Sequence, residues 1–81
     1  MTKTPHGKTL RKRLAVQVRQ RREALGWSQE ALAERAGTSQ VYVSNIESGT
    51  RAVSIDIVER LGLALSVEPE LLLAAPERFR K

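Results

Sequence analysis

The side chains with most chemistry to offer lie together just after Gly37. Ser39, Gln40, Val41, Ser44 and Asn45 are uncharged, and all but the valine can form hydrogen bonds. At helical spacing they face away from the apolar pair Val43 and Ile46. An edge of that composition suits the donor and acceptor pattern of base pairs: glutamine pairs bidentately with adenine, and valine packs on a thymine methyl. Other chemistries find little material. Glu30 and Glu34 share a helix face, but no histidine or nucleophile accompanies them, so they read as solvated charges and no enzyme activity is expected. His6 is the sole histidine and there is no cysteine, which leaves neither a zinc site nor a disulfide framework. No metal, cofactor or small-molecule ligand is expected.

The charge distribution points toward a polyanion. Lys and Arg number 14 against 9 Asp and Glu, a formal charge of +5. Lys3, Lys8, Arg11, Lys12, Arg13, Arg19, Arg21 and Arg22 all precede the first acidic residue, Glu23. Such a cationic end attracts nucleic acid and loses affinity as salt rises. The apolar run Leu71 to Ala75 is far short of a membrane span. The basic start has no apolar stretch behind it and is not a signal peptide. A cytoplasmic protein with no membrane partner is expected, and 81 residues make one domain.

Short helices must position the polar edge. Residues 1–8 read as a flexible arm. A first helix is expected over about 9–25, with Leu10, Leu14, Val18 and Leu25 on one face and Gly26 as its stop. Ser28 caps a second helix over 29–36, with Trp27 and Leu32 as a hydrophobic staple. Gly37 closes it, and Thr38 is expected to cap a third helix over 39–47. Ser54 caps a fourth over 55–65, with Val53 and Val58 as staple. Pro69 opens a fifth, flanked by Val67 and Leu72, and Pro76 ends it. No segment alternates long enough for a strand. The fold class is all-α, five short helices around one core, with a domain over 9–75 between the arm and a charged tail over 76–81. Leu32, Ala33, Ala36, Gly37, Val43 and Ile46 form the small and apolar set that two helices need to meet near a right angle.

The string W-S-Q-E-A-L-A-E-R-A-G-T-S-Q-V-Y-V-S-N-I-E-S-G-T-R, from Trp27 to Arg51, resembles the phage lambda repressor and Cro type of helix-turn-helix, the XRE-like family. The resemblance runs on through L-A-L-S-V-E-P-E-L-L, Leu63 to Leu72. It implies a recognition helix over 38–47 lying in the major groove of double-stranded DNA. It implies base contacts from Ser39, Gln40, Val41 and Asn45, with Ser44 beside them. It implies phosphate contacts from Gln29, Tyr42, Ser48, Thr50 and Arg51. It also implies an ion pair, Arg22 with Glu47, between the first helix and the end of the recognition helix. Two positions depart from the family habit: Val53 stands where proline is common, and Ser66 where glycine is common.

Successive helical residues point about 100° apart, so one small core cannot take Leu71, Leu72 and Leu73 together. Leu71 and Leu73, with Ile57 and Leu63 on the fourth helix, are expected to form a homodimer interface. The function expected is a sequence-specific transcriptional regulator acting as a dimer on a palindromic operator; the controller proteins of restriction-modification operons share this size. The alternative is an antitoxin that binds a toxin and represses its own operon; the short tail argues against it. An RNA-binding role lacks the aromatic platform that single strands usually require.

Overall fold

A computed structural model of the protein describes residues 8–76. Residues 1–7 of the expected arm and 77–81 of the expected tail lie outside it. Four α-helices follow in order: α1 (Lys8–Ala24), α2 (Gln29–Ala36), α3 (Gln40–Ser48) and α4 (Ile55–Leu65). A 3-10 helix over Pro69–Leu73 is the last element among the described residues. There is no strand among the described residues. The fifth element is therefore 3-10 and not α. Glu68 supplies no side-chain cap, and the segment is one short turn before Ala74 returns to extended backbone.

Each junction is set by local chemistry. Gly26 (φ 73°) and Gly37 (φ 72°) take the left-handed conformation that ends α1 and α2. After each of them the next N–H folds back: Trp27 donates to Arg22 O at 3.1 Å and Thr38 to Ala33 O at 2.9 Å. The cap of α3 is Ser39 and not the expected Thr38: α2 closes as late as Thr38 N–H, the extended Ser39 (φ −98°, ψ 156°) directly precedes the helical residues, and its Oγ accepts from Tyr42 N at 3.1 Å. Ser28 and Ser54 cap α2 and α4 in the same way.

α1 lies against α3 and the 3-10 helix, and α2 against α3 and α4, around one core. Leu14, Val18, Leu32, Ile46, Leu61 and Leu72 fill its centre. Leu10 and Leu25, expected on the inner face of α1, are 43% and 49% exposed. Leu10 sits in the first turn, and Leu25 lies past the last helical residue, so neither is carried onto the stripe that Leu14 and Val18 bury. Ile57, expected at the surface, is buried in the core cluster. It shares the inner face of α4 with Leu61 and Leu65, one and two turns on.

Ser66 takes the left-handed conformation (φ 61°) that glycine would take more cheaply, and Val67 N still closes onto Gly62 O at 2.9 Å. Gly62 lets the 3-10 segment approach α4. A Cβ there would meet Val67 O at 2.9 Å and Pro69 Cγ at 3.0 Å. Gly62→Ala is expected to cost about 1–2 kcal/mol: the overpacking exceeds what alanine returns in helix propensity. A denaturant melt in which the alanine variant equals or exceeds the parent would refute this close approach.

Candidate nucleic-acid interface

α3 turns Val43 and Ile46 fully inward, and that fixes what it shows outside. Val41 is 64% exposed at its outer edge. Ser39 is exposed, and Gln40, Ser44 and Asn45 are half-buried along the same helix. Ser39 spends its hydroxyl oxygen on the cap, so what it offers a ligand starts from a bonded side chain. Tyr42 packs on the core cluster and is half-buried.

Behind this edge runs a chain of hydrogen bonds joining three helices. Arg22 donates from Nε to Glu47 Oε2 at 2.8 Å and from Nη2 to Glu47 Oε1 at 3.1 Å. It also donates from Nη1 to Trp27 O at 2.7 Å. The two side chains are 11% and 5% exposed, so this two-pronged pair is nearly dry. The bond to Glu47 holds the Arg22 guanidinium above its ordinary pKa, against the opposing pull of burial. Gln29 Nε2 donates to Glu47 Oε1 at 3.0 Å, and Gln40 Nε2 donates to Gln29 Oε1 at 2.8 Å.

The order of these bonds settles how each amide points. An ionised carboxylate only accepts, so Gln29 must present its NH2 to Glu47. Its oxygen then faces Gln40, which must answer with its own NH2. Gln40 is left with one free N–H beside a free carbonyl oxygen. That donor and acceptor pair matches the N7 and N6–H of adenine.

The loop after α3 is differently disposed. Gly49 (φ 80°) caps the helix. Ser48 Oγ donates to Asn45 O, and Ser48 and Thr50 share a bond at 3.0 Å. With the serine proton committed to Asn45, Thr50 is the donor in that bond. Neither hydroxyl keeps a proton for an acceptor-only phosphate in this arrangement. Arg51 is exposed and keeps its charge on the surface.

A helix-turn-helix family model matches residues 18–72, which takes in the corner and the whole bond chain. The chain belongs to the lambda repressor and Cro type of helix-turn-helix family. This regulator, a DNA-binding transcription regulator by its family, is similar over 77 residues (36% identical) to a hypothetical transcription factor of Neisseria meningitidis, covering 95% of its own chain and 73% of the relative. The crystal structure of a hypothetical transcription factor from Neisseria superposes with a TM-score of 0.82 at 33% identity, over 96% of this chain and 90% of that one. Control protein C.BamHI of Bacillus amyloliquefaciens is 48% identical over 46 residues, which is 57% of each chain. The regulator thus spans little more than half the length of that relative in the match. The restriction-modification controller protein C.AhdI of Aeromonas hydrophila superposes with a TM-score of 0.73 at 37% identity, over 76% of this chain and 94% of that one.

The structure brings Gln29, Gln40, Arg22 and Glu47 together as one unit, where the sequence gives them three separate roles. Of the four residues expected at a dimer interface, Leu63 and Leu71 are exposed, Leu73 is half-buried and Ile57 is in the core. Sequence reasoning passed over Ile55, which is 69% exposed, and Gln17, which is buried. Gln17 Nε2 donates to Ala74 O at 3.1 Å and its Oε1 accepts from Arg21 at 3.1 Å, tying the residue after the 3-10 helix to α1. A glutamine between Leu14 and Val18, four residues before an arginine, was the available signal. Among the described residues there is no cluster of three metal-ligating side chains, and no helix is long and apolar enough to cross a membrane.

Proposed function

We propose that the regulator binds a palindromic site on double-stranded DNA as a homodimer, each copy laying α3 in the major groove. The observation that supports this best is the oriented free edge of Gln40, fixed through Gln29 from a nearly dry carboxylate. Base contacts come from Gln40, Val41, Ser44 and Asn45, with Ser39 at the helix start. Gln29 and Arg51 meet phosphates on either side, and Tyr42, Ser48 and Thr50 flank them, the two hydroxyls after exchanging an internal bond for a phosphate. The similarity to two controller proteins favours a regulator whose occupancy follows its own concentration through dimer assembly. Its place of work is taken to be the cytoplasm.

Selecting bound sequences from a random duplex pool tests the reading. A single recurrent site with two-fold symmetry is expected. Arg51→Ala is expected to leave that site unchanged, weaken every sequence alike, and flatten the dependence of log affinity on log salt by about one unit. A pool that emerges without a common site would end the regulator reading.

The dimer surface offered is the apolar ridge of Leu63, 83% exposed, and Leu71, 46% exposed, beside Val67. A two-fold dimer through this face would present two α3 helices to half-sites about one DNA turn apart. Sedimentation at micromolar concentration is expected to give twice 9.0 kDa for the parent and 9.0 kDa for Leu63→Lys. A parent that sediments as a monomer, alone and on its site, contradicts the proposal.

A further inference from the structure

The matched family segment begins at residue 18, but α1 begins at Lys8. Residues 8–17 therefore lie ahead of the matched segment on the same helix, an extension of it in sequence whose Leu14 already belongs to the core. It contains Lys8, Arg11, Lys12 and Arg13 and no acidic residue. The fold does not leave this extension apart from the rest. Arg11 Nη1 donates to Thr50 O at 3.4 Å. A Cβ on Gly49 would lie 3.8 Å from both Cα and Cγ of Lys12, and 3.5 Å from Ala15 Cβ. Lys12 and Arg13 form one wall of a cleft whose other wall is Glu47, Ser48 and Gly49. The basic start of α1 is thus packed onto the loop that follows the recognition helix.

We propose that the extension is a second phosphate clamp, in which Arg11, Lys12 and Arg13 contact DNA backbone next to the phosphates held by Arg51. Three observations converge on it. The loop it touches has both hydroxyl protons engaged internally, so Ser48 and Thr50 offer a phosphate no free hydroxyl donor in this arrangement. Lys12 is exposed and Arg11 and Arg13 are half-buried, and among the described residues none of the three has a carboxylate within ion-pair distance. Cations left unneutralised beside a DNA-facing loop draw the same polyanion. The last turn of α3 also has no basic residue of its own, so the cations at that end of the recognition helix come from α1 and from Arg51 in the loop. A clamp of this kind adds affinity without sequence, since backbone phosphates are the same at every step.

The inference rests on the DNA-binding reading above. Its test compares the parent with Arg11→Gln/Lys12→Gln/Arg13→Gln on a duplex bearing the selected site, over a series of salt concentrations. Each lost phosphate contact removes about 0.9 from the slope of log affinity against log salt, so the triple variant is expected to be shallower by about two to three units. Its selected sequence is expected to stay that of the parent. Phosphate-ethylation interference is expected to lose positions adjoining those lost in Arg51→Ala. Arg11→Lys/Arg13→Lys keeps the charge and is expected to keep the parental slope. If the triple variant melts early, Lys12→Gln alone serves in its place, with a change of about one unit. Equal slopes and equal ethylation patterns would overturn the clamp and leave the regulator standing. A shallower slope in a protein that selects no common site would support the clamp and remove the regulator. Absence of duplex binding by the parent would remove both.

Discussion

Glu47→Ala is expected to lower stability by about 3 kcal/mol, a drop of roughly 12–24 °C in Tm for a domain of this size. The size of the effect follows from what stays behind. Arg22 is 11% exposed on its side chain and donates twice to Glu47. Its guanidinium remains charged at any working pH, so removing the carboxylate leaves the cation with one hydrogen-bond acceptor, Trp27 O, and the exposed Glu23 carboxylate 3.8 Å away. Gln29 loses an acceptor at the same time. Replacing both partners by apolar residues, as in Arg22→Met/Glu47→Leu, is expected to recover much of the loss, because no unpaired charge remains. Thermal melts of the single and double variants check this. A Glu47→Ala protein that melts with the parent would show that the pair is solvated and contributes little.

Gln40→Ala is expected to abolish preference at one base pair of each half-site, a loss of about 1–3 kcal/mol on the best sequence and little on sequences already mismatched there. The half-buried Gln40 has its NH2 hydrogen-bonded to Gln29 at 2.8 Å without DNA present, which favours one rotamer before binding. The unpaired donor and acceptor are therefore aimed in advance, and little ordering entropy is spent on contact. Gln29→Ala should blur the same base pair by freeing Gln40, without touching a base itself. Asn45→Ala should shift preference at a different pair. Repeating the duplex selection with each variant measures all three. If Gln40→Ala and Asn45→Ala both select the parental site, the assignment of base contacts to α3 is wrong.

Much of this was legible in the chain because its determinants are local. Ser28 and Ser54 cap helices wherever they stand, Gly37 ends one, and the spacing of Leu32, Ala36, Val43 and Ile46 requires a two-helix corner. The outward polar set after Gly37 followed from periodicity alone. Tertiary contact decided the rest. Thr38 and Ser39 are both capping types, and the place where α2 closes sets which one caps: Thr38 N–H still folds back onto Ala33 O, and helical backbone resumes only after Ser39. Ile57 and Leu63 are equally apolar, and the rotation of α4 against the core buried one and exposed the other. Arg22, Gln29, Gln40 and Glu47 are far apart in sequence, so no spacing rule could say that their amides orient one another. Arg11 meets Thr50 across 39 residues of chain. The backbone's periodicity sets which residues a helix shows; only the packing of helices on one another sets which charges meet, because that depends on rotations and separations that the local sequence does not encode.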